Sequence, residues 1–202
     1  MAEEKRVTAE VSQVAATANP APLGLAGFAV TTFVLSMVNA QFIPAAAKPV
    51  VLGLGFFYGG LAQFLAGMQE FKKNNVFGAT AFSTYGAFWM SLALVELLGL
   101  LGVINFGEAA GQAVGTFLLA FTIFNTYMWI ASFQTSAAVC LVFTTLELTF
   151  ILLVLAEFGI MSSVPGGIMG IITSFCAWYT SAAEVINAVS NRTVLPVGPF
   201  KK

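Results

Sequence analysis

Histidine and aspartate do not occur in this 202-residue chain, and charged residues of either sign make up only 8% of it. A soluble domain carries roughly 25% charged residues. Without His there is no imidazole acid–base group, no Ser-His-Asp triad and no His-ligated metal or haem. Without Asp there is no aspartate-based phosphoryl chemistry. The two cysteines, Cys140 and Cys176, stand 36 residues apart in apolar runs and match no metal motif or disulfide framework. No metal and no cofactor is expected. Eight Lys and Arg face nine Glu, with no basic stretch able to follow a phosphate backbone, so no nucleic-acid partner is expected. The remaining Glu, Ser, Thr, Tyr and Cys form no recognisable catalytic arrangement, and an enzyme is not indicated.

What is present is apolar. Hydrophobic residues make up 58% of the chain and the mean hydropathy is +0.90. A bilayer core of about 30 Å needs about 20 apolar residues per helix. Charge is missing from 11–47, 49–69, 74–95, 109–146 and 158–183. The fourth window holds one helix, a tight turn near Ser132–Ser136 and most of another. The reading is an all-α polytopic membrane protein with six transmembrane helices, over 21–42, 49–70, 77–101, 109–131, 136–157 and 164–189. They form one domain, 19–191, between a polar N-terminal segment, 1–18, and a C-terminal tail, 192–202. The lipid bilayer is thus the first partner. Val38-Asn39-Ala40 resembles a signal-peptide cleavage site, but the apolar run before it exceeds the usual 7–15 residues, so it is read as a retained helix.

Lys and Arg fix an orientation. With the N-terminus inside, Lys5, Arg6, Lys72, Lys73, Arg192, Lys201 and Lys202 are cytoplasmic and only Lys48 is outside. Both termini are therefore expected in the cytoplasm of a multi-pass cell-membrane protein. The helix starts repeat at about 87 residues, and AFWMS around Trp89 faintly matches AWYTS around Trp178. Three helices per half would give a 3+3 inverted repeat. Evenly spaced helices would give the same spacing without one.

Several residues stand out for chemistry. Asn19 suits an N-cap and Pro20 a first helical position; alternatively, the free amides there attract an anion. Gly53, Gly60 and Gly67 repeat at heptad spacing in the second helix, for close packing or for a bare-backbone passage. Gln63, a turn from that stripe, is expected to face protein or a pore. Glu70 is read as an interfacial ion-pair partner of Lys72 and Lys73. Thr80, Ser83, Thr84 and Tyr85 either bond their own helix or form a polar lane. Asn125 is deep in the fourth helix. Glu147 lies midway along the fifth with no cation at its depth. An ionised acid there costs about 2.5–3.5 kcal/mol even on the lenient insertion scale. It is either a proton-linked functional acid or a carboxyl hydrogen-bonded to a neighbour. Glu96 and Glu184 reach the interfaces, and Glu108 and Glu157 belong to outer loops. Without an embedded cation, a small weak acid fits better than a multiply charged anion. Neutral urea or ammonia fits composition equally well, and a sensor without flux stays open.

NPAPLGLAGF at 19–28, FYGGLAQFLAGMQEF at 57–71, FGATAFSTYGAFW at 77–89 and EVINAVSNRTVLP at 184–196 resemble the acetate uptake transporter family, the succinate–acetate permease or YaaH-type group. The resemblance runs from about 19 to 198 and is strongest in the first three helices. It implies six helices per protomer, a homohexamer, and one solute path in each protomer. The implied solutes are acetate and related short monocarboxylates, with succinate as a further candidate, in proton-linked or channel-like passage. It implies a hydrophobic constriction at Phe28, Tyr85 and Leu146. Asn19, Pro20 and Gly24 would form the inner end, and Gln63 and Thr84 the polar lining. Thr80 and Asn125 join the path on the residue reading. Glu147 matches no motif.

Overall fold

The computed structural model describes residues 17–200. The charged N-terminal segment, apart from its last two residues, and the final two lysines lie outside it. Six long helices follow the predicted segmentation: α1 Ala21–Asn39, α2 Ala45–Lys72, α3 Val76–Leu100, α4 Ala110–Ser132, α5 Ala137–Glu157 and α6 Val164–Ser190. Among the described residues the one extended pairing is an isolated bridge between Ser136 and Pro199.

The first helix stops at Asn39, short of the predicted 42, because Gln41 takes a left-handed conformation at φ 60°. Such a residue ends a helix by turning the following amides back onto its last free carbonyls; here Phe42 and Ile43 donate to the Met37 carbonyl. Helix α2 changes winding: α-helical Val50–Phe56 passes through a π-helical stretch, Phe57–Ala62, into α-helical Gln63–Lys72. Widening the turn shifts the phase of everything beyond it. The Gly53–Gly60–Gly67 heptad is therefore not one continuous packing face: Gly67 lies against Ser83 and Gly60 against Met90, while Gly53 has open space beside it.

Among the described residues, five helices are long and apolar enough to cross a membrane. α6 has 27 residues, but small and hydroxyl side chains dilute it: Gly166, Gly167, Gly170, Thr173, Ser174, Ala177, Thr180 and Ser181 all lie on its buried face. Those hydroxyls bond inside the protein, Thr173 to the Met169 carbonyl and Ser181 to that of Pro22 on α1. A small-residue face lets backbones approach closely, and α6 packs along α1 and α5. Around the bundle the order is α3–α2–α1–α6–α5–α4, and consecutive α3 and α4 barely touch. In an inverted repeat α1–α6 and α3–α4 would be equivalent pairs; their packing is not.

Chain order puts Asn19, Lys72, Lys73 and Arg192 at one end of the bundle, here called proximal, and Lys48 with Glu96 at the other, distal end. The tail from 192 is folded back rather than free. Asn187 accepts from the Val194 and Leu195 amides at 2.7 and 2.9 Å and donates to the Leu195 carbonyl at 2.8 Å. The carbonyls of Gly198 and Val197 then accept from Ala137 and Ala138, the first amides of α5. Helix-start amides have no partner within the helix, so the tail acts as a cap made of backbone. Truncation after Asn191 is expected to lower the melting temperature by several degrees. A lost cap interaction costs ~1 kcal/mol, and thermal unfolding in detergent reads the change.

Candidate solute path

Two cavities penetrate the bundle from opposite ends. The proximal one, of about 360 Å³, is lined among others by Asn19, Gln63, Asn75, Phe82, Thr180 and Glu184. The distal one, of about 400 Å³, is lined among others by Thr32, Asn39, Lys48, Trp89, Glu96 and Glu157. Both are in the size range of small-molecule clefts, about 300–1,000 Å³. Three residues line both cavities: Phe28, Tyr85 and Leu146. Each is at least nine-tenths buried. They come from α1, α3 and α5. The Phe28 and Tyr85 rings stand 5.8 Å apart at 57°, and Phe124 meets the Tyr85 ring edge-on at 5.3 Å.

Behind the Tyr85 ring is a buried polar chain. The Tyr85 hydroxyl donates to Asn125 Oδ1 at 2.5 Å. Asn125 Nδ2 donates to Glu147 Oε2 at 2.6 Å and to the Phe143 carbonyl at 3.3 Å. Thr126 Oγ1 lies 2.8 Å from Glu147 Oε1 and 2.9 Å from the Thr122 carbonyl. Glu147 therefore does not face water: each of its oxygens has a protein partner, and the side chain is buried. Three residues that stand apart in the sequence are one unit here, across helices α3, α4 and α5.

Other expected site residues change place. Gln63 lines the proximal cavity and is buried. Asn19 sits at its mouth, accepting from Lys73 Nζ at 3.0 Å and donating to Glu184 at 2.9 Å. It also accepts from the Ala21 amide at 3.3 Å, but Pro20 rather than Asn19 is the N-cap of α1 and Ala21 its first helical residue. Thr80 and Thr84 line neither cavity. The α3 wall runs through Gly78, Ala81, Phe82, Tyr85, Phe88, Trp89 and Leu92, and Thr84 is turned about 100° from Tyr85. Gly24 is not on the path surface either. A Cβ there would stand 2.6 Å from the Phe82 ring, so its lack of a side chain lets α1 seat against a ring that does line the cavity. Asn125 stands behind Tyr85 rather than on the path.

The acids depart furthest from expectation. Glu70 makes no ion pair with Lys72 or Lys73. It is fully buried on the same α2 face as Gln63, Ala66 and Gly67. Asn75 Nδ2 donates to its Oε2 at 2.9 Å, and among the described residues its Oε1 has no partner. Glu157 is the last residue of α5 and lines the distal cavity, not an outer loop. Glu96 pairs with Lys48 at 2.6 Å. Among the described residues Lys48 is the one cation lining either cavity. Its pair with Glu96 is partly exposed, so it adds only about 0–1 kcal/mol to stability. The sequence carries one hint of this: Lys48 is a lone cation between two long charge-free windows.

Known proteins share this sequence and shape. Residues 3–202 match the GPR1/FUN34/yaaH family. The chain is 37% identical over 183 residues to the Escherichia coli succinate-acetate/proton symporter SatP, covering 90% of this chain and 95% of that one. It is 38% identical over 190 residues to ammonia transport outward protein 2 of Saccharomyces cerevisiae, covering 91% of this chain but 66% of the longer yeast protein. The solved structure of the bacterial acetate channel SatP superposes with a TM-score of 0.85 at 36% identity, over 90% of this chain and 99% of that one.

Proposed function

This chain belongs to the GPR1/FUN34/yaaH family, and from that premise we propose that it carries acetate and related short monocarboxylates, succinate among them, across the cell membrane. Solute enters one cavity, passes between Phe28, Tyr85 and Leu146, and leaves by the other. The observation that carries this reading is that these three side chains, and no other lining residue, border both cavities. The lining supports a weak acid. It offers amides and hydroxyls, from Asn19, Gln63 and Asn75 on one side and Thr32, Ser36 and Thr149 on the other. Transport is proton-linked on this reading, because the partition carries no cation to offset a carboxylate charge. The proximal end is cytoplasmic, as Lys72, Lys73 and Arg192 favour. The protomers assemble as a homohexamer with a path in each, which cross-linking in native membranes would test.

A second reading is a neutral-solute pore for ammonia, favoured by the yeast relative's name and by the apolar partition. Proteoliposomes separate the two. Labelled acetate uptake at acidic external pH is expected to exceed that of protein-free vesicles, to saturate, and to fall with excess propionate. Acetate uptake equal to that of empty vesicles, with protein-dependent ammonia flux, would overturn the first reading in favour of the second.

A further inference from the structure

The Tyr85 and Asn125 protons in the buried chain can be assigned by donor and acceptor accounting. The Phe143 carbonyl only accepts, so the Asn125 atom 3.3 Å from it is the NH2. The same NH2 faces Glu147 Oε2 at 2.6 Å. Reversing the amide would set its oxygen against two acceptors at once. Asn125 Oδ1 is thereby aimed at Tyr85, and since a carbonyl oxygen only accepts, the Tyr85 hydroxyl is the donor. That hydroxyl has one proton, and it is used. What it can then offer a solute is a lone pair.

We infer that Glu147 and Asn125 are positioning residues that lock the Tyr85 hydroxyl as a hydrogen-bond acceptor toward the passing solute. This rests on the path reading above. Phe28 and Leu146, the other members of the partition, have no polar group. A carboxylate carries only acceptors and meets a lone pair at Tyr85. A protonated carboxylic acid presents its O–H and is accepted there. The partition therefore selects the protonated form of the solute, and the proton travels on the substrate. Glu147 lines neither cavity and works through Asn125, not as a relay. The titratable groups that face the Tyr85 hydroxyl are Glu147 on α5 and Tyr127 on α4. The cations lie at the ends, Lys48 with Glu96 and Lys73 with Asn19.

The test compares the pH slope of protein-dependent acetate flux among full-length variants in proteoliposomes. Wild-type flux is expected to fall about tenfold per pH unit above the solute's own pKa, as the protonated fraction does. Glu147→Gln keeps an acceptor for Asn125 and a donor for Thr126, so its slope is expected to match wild type. Asn125→Leu frees the hydroxyl to turn and donate to a carboxylate, and the fall is expected to shrink to about threefold or less per unit; Glu147→Leu leaves the amide held by the Phe143 carbonyl alone, and the fall is expected to shrink less far. Should the leucine variants not fold, Tyr85→Phe, near-isosteric, is expected to lower flux at pH 5 about tenfold. The inference is overturned by a tenfold slope kept in both leucine variants, by a flattened slope in Glu147→Gln, or by unchanged flux in Tyr85→Phe. Absence of wild-type flux above empty vesicles would overturn the path reading itself, and this inference with it.

Discussion

Leu146→Ala and Phe28→Ala each raise the ratio of butyrate to acetate flux by roughly tenfold or more. The expectation follows from how little separates the two cavities. Three side chains form the partition, and each is nearly fully buried. Discrimination by one methylene in an apolar pocket amounts to about 1–3 kcal/mol, or 10–200-fold. Removing most of the Leu146 or Phe28 side chain deletes more than one methylene from the narrowest section. The longer acid is then expected to pass more readily. These two positions give a cleaner test than Tyr85. Tyr85→Ala would also leave Asn125 and Glu147 without their hydroxyl partner, mixing a wider opening with a broken buried network. The measurement is initial flux of the two labelled acids in proteoliposomes. An unchanged ratio in both variants would count against the partition.

Gly167→Val is expected to abolish recovery of monodisperse protein. Added at Gly167, a Cβ stands 2.6 Å from the Asn39 carbonyl carbon and 2.7 Å from Ala40 Cα. These are backbone atoms where α1 ends, so no rotamer change relieves the clash. The α1–α6 seam would have to part, and it is one of the most extensive helix contacts in the bundle. Overpacking costs about 1–3 kcal/mol where side chains can adjust, and more where they cannot. Gly53→Ala is the control. Nothing lies within 4 Å of a Cβ there, and Ala is the better helix former by about 1 kcal/mol. Thermal unfolding by fluorescence-detected size exclusion is expected to rank Gly53→Ala at or above wild type, with Gly167→Val yielding aggregate. Normal folding of Gly167→Val would show that the seam is looser than described.

Helix number and limits are legible in the sequence because hydropathy and the spacing of charges are properties of consecutive residues. Phe28, Tyr85 and Leu146, named in the sequence through family likeness rather than periodicity, are the three residues that border both cavities. What the sequence hides is phase and pairing. Thr80, Thr84 and Tyr85 read as lying near one face, but Thr84 is about 100° round the helix from Tyr85 and neither threonine reaches the wall. The glycine heptad assumes a uniform helix, and the π-helical stretch at Phe57–Ala62 breaks its register. Glu70 has its nearest cations along the chain in Lys72 and Lys73, yet the buried face of α2 carries it inward. Glu147 looks isolated because its partners lie far off in sequence: Asn125 is 22 positions away, and Tyr85 a further 40 from Asn125. The fold-back of the tail is not legible because backbone carbonyls capping α5 leave no mark in side-chain pattern.

The most direct test of the path is a crystal structure grown with bromoacetate, a short monocarboxylate whose bromine is located by anomalous scattering. Bromine peaks are expected in both cavities, one on each side of Phe28, Tyr85 and Leu146. Peaks confined to sites outside the two cavities, with both cavities holding only water, would contradict the account.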